Sequence, residues 1–115
     1  MAEGCVFCKI VKKEIPAKVV SESPEWMSFH DVHPQAPVHV LLIPKKHVAT
    51  VADLSGTEAP LAGALVVEAA RLARELGVSD HGYRLVMNCN ENGGQTVSHV
   101  HLHLIGGRRM KWPPG

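Results

Sequence analysis

The chain predicts an α+β fold, in which an antiparallel sheet of about five strands carries one long helix and a short N-terminal helix. Two observations predict it. Five short β-patterned segments are punctuated by turn residues, and a single long amphipathic segment stands among them without strict strand–helix alternation. Residues 5–13 form the short helix, which stops before Pro16. Val19 to Ser23 and Trp26 to His30 read as strands around a turn at Ser23-Pro24-Glu25. Val38 to Ile43 is an apolar, β-branched run closed by Pro44, as suits a buried strand. Ser55-Gly-Thr-Glu58 resembles a capping box, and Pro60 is tolerated in a first turn. Leu61, Leu65, Ala69, Leu72 and Leu76 then share one helical face, and Glu68, Arg71, Arg74 and Glu75 fill the rest before Gly77. Tyr83 to Asn88 and His99 to Ile105 complete the strands, and Gly106-Gly107 ends the last.

The 115 residues suit one domain spanning 1–115. Hydrophobic residues at 45% and charged residues at 20% indicate a globular chain rather than a disordered one. A net charge of +1 gives no general pull toward nucleic acid or an acidic membrane. Aromatic residues, at 4%, are too few to build a stacking platform for single-stranded bases. The start, MAEGCVFC, lacks the basic and apolar parts of a signal peptide, and the apolar stretch Leu61–Val67 meets Glu68 far short of a membrane span. A cytoplasmic protein with neither nucleic-acid nor membrane partners is expected. Three cysteines, two of them spaced Cys5-x-x-Cys8, indicate metal or redox chemistry before a disulfide framework.

His99, His101 and His103 alternate with Val100, Leu102 and Leu104. In a strand, residues two apart share a face, so the three imidazoles should stand in a row roughly 6.5–7 Å apart. Three readings stand: a His-rich solvated face, a metal site completed by a third ligand, or catalysis by neutral imidazole with neighbours that move protons. The preceding Asn92-Gly-Gly-Gln-Thr-Val97 favours catalysis. Such a glycine-bearing loop can turn backbone N–H groups toward an anion, and Thr96 adds a hydroxyl. A phosphate cradle beside a histidine row suggests phosphoryl or nucleotidyl transfer that needs no cofactor for catalysis.

His99-Val-His-Leu-His-Leu104 resembles the signature of the histidine triad (HIT) family. Cys5-Val-Phe-Cys-Lys-Ile10, Lys13-Glu-Ile-Pro-Ala-Lys18, Phe29-His-Asp31, Gln35-Ala-Pro37, His39, Ile43-Pro-Lys-Lys-His47, Asn88, Gly93-Gly-Gln95 and Trp112-Pro-Pro-Gly115 resemble its Hint branch across nearly the whole chain. The resemblance implies a homodimer with a shared sheet, its C-terminal tail, residues 107–115, lying near the interface. It implies hydrolysis of purine nucleoside 5′-phosphoramidates and related nucleoside monophosphate conjugates through a covalent nucleotidyl-histidine. A dinucleotide hydrolase, a nucleotidyl transferase and a nucleotide-binding or zinc-stabilised interaction module are the alternatives. His101 takes the nucleophile's place, and the His99 carbonyl orients its ring. His103 takes the place that binds phosphate oxygens, and His39 is a fourth histidine lining the site. Thr96 stands where many relatives carry serine as a donor to the leaving group. Asp31 occupies the ribose position, and an ionised carboxylate can accept from two hydroxyls. Phe7, Ile10, Phe29 and Val32 occupy the base pocket, and Asn88, Gly94, Thr96 and Val97 the surroundings of the phosphate. Ser98 replaces the aromatic often found before the triad.

Some family members carry Cys-x-x-Cys and complete a structural zinc site with two histidines, which here are His47 and His99. The alternative is a pair of reduced cysteines behaving as small hydrophobes. Cys89 reads as an ordinary thiol. His30, His33 and His81 read as structural or surface residues, and Arg108, Arg109 and Lys111 as a solvated basic face.

Overall fold

The computed structural model describes residues 4–115. Its elements are α1 (Val6–Val11), β1 (Val19–Glu22), β2 (Trp26–His30), β3 (Val38–Pro44), α2 (Ala59–Glu75), β4 (Tyr83–Val86), α3 (Asn90–Gly93) and β5 (Leu102–Gly106). The five strands form one sheet in the order β1-β2-β3-β5-β4, antiparallel throughout. β1 and β2 make a hairpin whose turn is closed by the Ser23 hydroxyl, which accepts from the N–H groups of Glu25 and Trp26. β5 inserts between β3 and β4, so the centre of the sheet joins strands far apart in sequence. Among the described residues, no helix is long and apolar enough to cross a membrane.

Period-two alternation gives the sheet two different faces. Val40 and Leu42 of β3 and Leu102 and Leu104 of β5 point to one side, where they pack on Leu65, Ala69, Leu72 and Ala73 of α2. Burying each such leucine contributes roughly 1.5–3 kcal/mol. Met27 and Phe29 of β2 and Leu41 and Ile43 of β3 point to the other side, against Phe7 and Ile10 of α1. That second face carries His39 in register with Ile105, and His103 in register with Leu41. The long helix thus holds the sheet from behind and leaves its opposite face for the histidines.

α2 starts as the sequence indicates. The Ser55–Glu58 capping box forms around a single 3-10 turn, and Pro60 sits in the first turn of the helix. One expectation fails there. Glu68, placed on the polar face by periodicity, is buried and takes a fork of two hydrogen bonds from Arg71, at 2.8 and 2.6 Å. The bidentate guanidinium makes that burial tolerable. Arg71, and then Ser21 of the hairpin, hold the carboxyl below its ordinary range against desolvation.

A second expectation is corrected at the histidine segment. The strand was expected to run from His99 to Ile105, with three imidazoles in one row. The ladder begins only at Leu102, because the Val100 N–H bonds outside the sheet to the Val48 carbonyl, at 2.7 Å. Freed from the pleat, the His99 ring turns toward the cysteines, and only His101 and His103 continue the row.

Candidate active site and candidate metal centre

Backbone groups set the proton positions of the histidine cluster. The Gln35 N–H donates to His39 Nδ1 at 3.0 Å. An N–H can only donate, so Nδ1 carries the lone pair and the neutral ring carries its proton on Nε2. His39 Nε2 lies 2.9 Å from His103 Nδ1. His39 therefore donates to His103, which leaves the His103 proton on its own Nε2. Asp31 Oδ2 lies 3.4 Å from the same His39 nitrogen. Burial pushes the His39 pKa down, with Asp31 opposing. His103 is pushed to about 4 by burial first, then by His101 and His39, again with Asp31 opposing. Both rings are neutral near pH 7, and His103 is a hydrogen-bond donor through Nε2.

His101 is fixed from the other direction. Its Nδ1 lies 2.7 Å from the His99 carbonyl, which can only accept. The proton is on Nδ1, and Nε2 is left with an unshared pair. The ring is 4% exposed. Phe7 packs edge-on against it with centroids 5.2 Å apart, and the His103 ring lies 4.9 Å away on another side. The cluster thus offers one bare imidazole nitrogen beside one N–H donor.

The remaining expected residues surround this cluster at different depths. Phe7, Ile10 and Phe29 are buried, with Phe7 and Phe29 edge-to-face at 5.6 Å. Asp31 lies at a cleft of about 870 Å³ whose walls include Lys18, Val32, Pro34 and His39. Its Oδ1 accepts from the His33 N–H at 2.8 Å, which leaves Oδ2 on the His39 side. Val32 is exposed, Asn88 and Val97 are half-buried, and Gly94 and Thr96 are exposed on the connection into β5. The glycine loop differs from a simple cradle. The N–H groups of Gly94 and Gln95 close back onto Glu91 and Asn90, around the left-handed Gly94 (φ 82°). Gln95 then pins the loop, donating to the carbonyls of Ala49 and Val97. The Gly94 and Gln95 N–H groups are therefore already engaged within the loop.

Cys5, Cys8, His47 and His99 form a separate cluster whose ligand atoms all lie within 4.8 Å of one another. Cys5 and Cys8 come from the start of α1, where Cys5 is the N-cap. His47 follows β3, and His99 precedes β5. The Sγ–Nδ1 separations are 3.3 Å for Cys5–His99, 3.3 Å for Cys8–His47 and 3.5 Å for Cys8–His99, and the two Nδ1 atoms are 3.2 Å apart. Zinc–sulfur and zinc–nitrogen bonds at tetrahedral angles require about 3.5 Å for sulfur–nitrogen pairs and about 3.3 Å for nitrogen pairs. His99 Nε2 donates to the Pro44 carbonyl at 2.8 Å, leaving Nδ1 unprotonated toward the cluster, as a metal ligand requires. Burial first, then the neighbouring Cys5, pushes the Cys8 thiol up to about 11. Two adjacent thiolates there need a cation, so the donor set fits a divalent metal ion. Asp31, His39 and His103 also converge. Their chemistry does not fit a metal, because His39 presents N–H rather than a lone pair to its neighbours.

Sequence reasoning missed two participants, Gln35 through its N–H and Pro44 through its carbonyl, while Phe7, expected in the base pocket, also walls His101. Backbone groups leave no trace in residue identity.

Residues 12–110 match the HIT domain family. A purine nucleoside phosphoramidase of Escherichia coli (strain K12) is 44% identical over 110 residues, covering 96% of this chain and 92% of that one. A HIT family hydrolase from Legionella pneumophila Philadelphia 1 superposes with a TM-score of 0.95 at 52% identity, covering 96% of this chain and 99% of that one. A Zn-bound histidine triad family protein from Mycobacterium smegmatis superposes with a TM-score of 0.80 at 32% identity, covering 94% of this chain and 78% of that one.

Proposed function

The chain belongs to the HIT domain family, and from that premise we propose that it hydrolyses purine nucleoside 5′-phosphoramidates and related nucleoside monophosphate conjugates through a nucleotidyl-His101 intermediate. One observation carries the reading. His101 donates its Nδ1 proton to the His99 carbonyl and keeps Nε2 bare, beside a neutral His103 that donates through Nε2. In this reading Nε2 of His101 attacks the α-phosphorus. The P–N bond to the amine breaks as the new N–P bond forms, and Thr96 helps protonate the departing amine. Water then cleaves the adduct to the monophosphate and regenerates His101, so one difficult displacement becomes two easier ones. His103 stabilises charge on the phosphate oxygens. Asp31 holds the ribose diol, and Phe7, Ile10, Phe29 and Val32 accommodate the purine. Asn88, Gly94 and Val97 border the phosphate.

The same proposal takes residues 1–115 as one catalytic domain acting as a cytoplasmic homodimer. Exposed Val66 and Val67 on α2 and the open edge of β4 supply a surface for pairing. The exposed Trp112 in the tail 107–115 would then lie near the partner. Zinc at Cys5, Cys8, His47 and His99 is structural, since four protein ligands leave no open position for water. Bound there, the ion would tie α1 to the ends of β3 and β5.

Turnover of adenosine 5′-phosphoramidate tests the reading, with amine release followed by chromatography. Release of amine and adenosine monophosphate is expected. Nucleotide binding without release would instead assign the chain to the binding modules.

A further inference from the structure

The corner that follows β5 grips the loop that sets the proton positions of the active site. Arg108 donates from Nε to the Gln35 carbonyl at 2.8 Å, across 73 positions of sequence. It also donates from Nη1 to the Arg109 carbonyl at 3.2 Å, which steadies the guanidinium. Gly107 lies against the same loop at φ 94°, where an added Cβ would stand 3.0 Å from the Pro37 ring. A glycine is needed for this close approach and this backbone angle. The Gln35 side chain adds a third tie by donating to the His33 carbonyl at 3.0 Å. Gln35 is therefore held at its carbonyl by Arg108 while its N–H points at His39 Nδ1.

We propose that Arg108 is a positioning residue of the active site: by fixing the Gln35 backbone it keeps the Gln35 N–H on His39, and so determines which nitrogen of His103 bears a proton. This rests on the reading in which His103 donates to the substrate phosphate. The two neutral tautomers of an imidazole are close in energy, so one well-aimed N–H is enough to choose between them. If Gln35 drifts, His39 can move its proton to Nδ1. Its Nε2 then faces His103 Nδ1 as an acceptor, His103 must place its proton on Nδ1, and a bare nitrogen meets the phosphate oxygens. The donor is lost although no residue of the cluster has changed. Arg108 itself hydrogen-bonds to the carbonyls of Gln35 and Arg109 and does not line the cleft that holds Asp31, which separates its effect from substrate contact.

The test compares wild type with Arg108→Ala and Arg108→Lys. Ring ¹⁵N chemical shifts of His39 and His103 are recorded on the ligand-free protein, and kcat and KM for adenosine 5′-phosphoramidate are followed with pH. Wild type should show His39 and His103 protonated on Nε2. Arg108→Ala should move both rings toward mixed tautomers. Its kcat should fall roughly tenfold near pH 7.5, below the ~10²–10³ typical of deleting a donor outright, because the donor is misplaced only part of the time. KM should stay within about twofold, since the affected bond tightens in the transition state. The deficit should persist from pH ~8 down to ~6, because His103, held to about 4, stays neutral there and only its tautomer differs. Asp31, His39 and His101 are the titratable groups that face His103, and all three are unchanged in the variants. Arg108→Lys, which retains a donor, should recover most of the loss. A folded Arg108→Ala with wild-type ring shifts overturns the proposal, as does a wild-type kcat across that pH range. If wild type turns over no phosphoramidate, the reaction assignment fails, while the ring shifts still decide the role of Arg108.

Discussion

Replacing His103 by glutamine should remove much of the acid sensitivity of the fold. Burial, with His101 and His39 adding to it, lowers the His103 pKa from the ordinary 6.5 to about 4. Between those values the unfolded chain takes up a proton that the native protein refuses. The stability linked to this ring is therefore complete above pH 6.5 and is lost as the pH falls toward 4. From the two pKa values, the loss at pH ~4.5 relative to pH ~8 is about 2.5 kcal/mol. With a urea slope of about 1.5 kcal/mol per molar for a chain of this size, the unfolding midpoint should drop by ~1.7 M from this residue alone. His103→Gln keeps a polar side chain of similar length and cannot titrate. Urea unfolding of both proteins at the two pH values, with chelator present throughout, cancels the contributions that they share. The pH-dependent loss should be smaller in the variant by about 2.5 kcal/mol. Equal losses in the two proteins would refute the buried, neutral state assigned to His103, and with it the donor role.

Wild type purified with reduced thiols should contain about one zinc per chain, and Cys8→Ser should lose it. A native-state ligand present at ~1,000 times its Kd adds about 4 kcal/mol, so the variant's Tm should fall by ~10 °C or more while kcat changes less. Differential scanning calorimetry with elemental analysis checks both, and sub-stoichiometric zinc in wild type would count against the site. Asp31→Asn should raise KM for ribonucleotide substrates and narrow the preference over 2′-deoxy analogues, because a site built to bond a hydroxyl rejects its absence. Equal kcat/KM of wild type on ribose and deoxyribose substrates would remove Asp31 from that role.

The architecture was readable because it depends on side-chain periodicity. A continuous apolar, β-branched run marked β3, alternation marked most of β5, and the Leu65, Ala69 and Leu72 spacing marked the core stripe of α2. Cys5-x-x-Cys8 with His47 and His99 was readable only through family likeness, since spacing alone could not say which two of eight histidines approach the cysteines. Periodicity misled where local hydrogen bonds outweigh it. The bond from the Val100 N–H to Val48 ends the ladder early and sends the His99 ring to the cysteines, and the Arg71 fork lets Glu68 go inside. The proton arrangement of His101 was readable only through family likeness, and that of His39 and His103 was not readable at all. Both are fixed by the Gln35 N–H and the His99 carbonyl, groups that every non-proline residue carries. Arg108, read as part of a solvated basic face, holds that loop in place by a contact that local sequence does not encode.

The central claim is that Nε2 of His101 attacks phosphorus, and the most direct measurement is the mass of the peptide carrying His101 after a rapid, acid-free quench of the reaction with adenosine 5′-phosphoramidate. A phosphoramidate bond to imidazole hydrolyses in acid, so the quench and digestion must stay neutral or alkaline. The predicted result is an adenosine monophosphate adduct on that peptide during turnover. It should disappear when substrate is exhausted and be absent from His101→Ala, whose kcat should be lower by orders of magnitude. An unmodified peptide throughout turnover, together with a His101→Ala protein that retains near-normal kcat, would contradict the mechanism and point to direct attack by water.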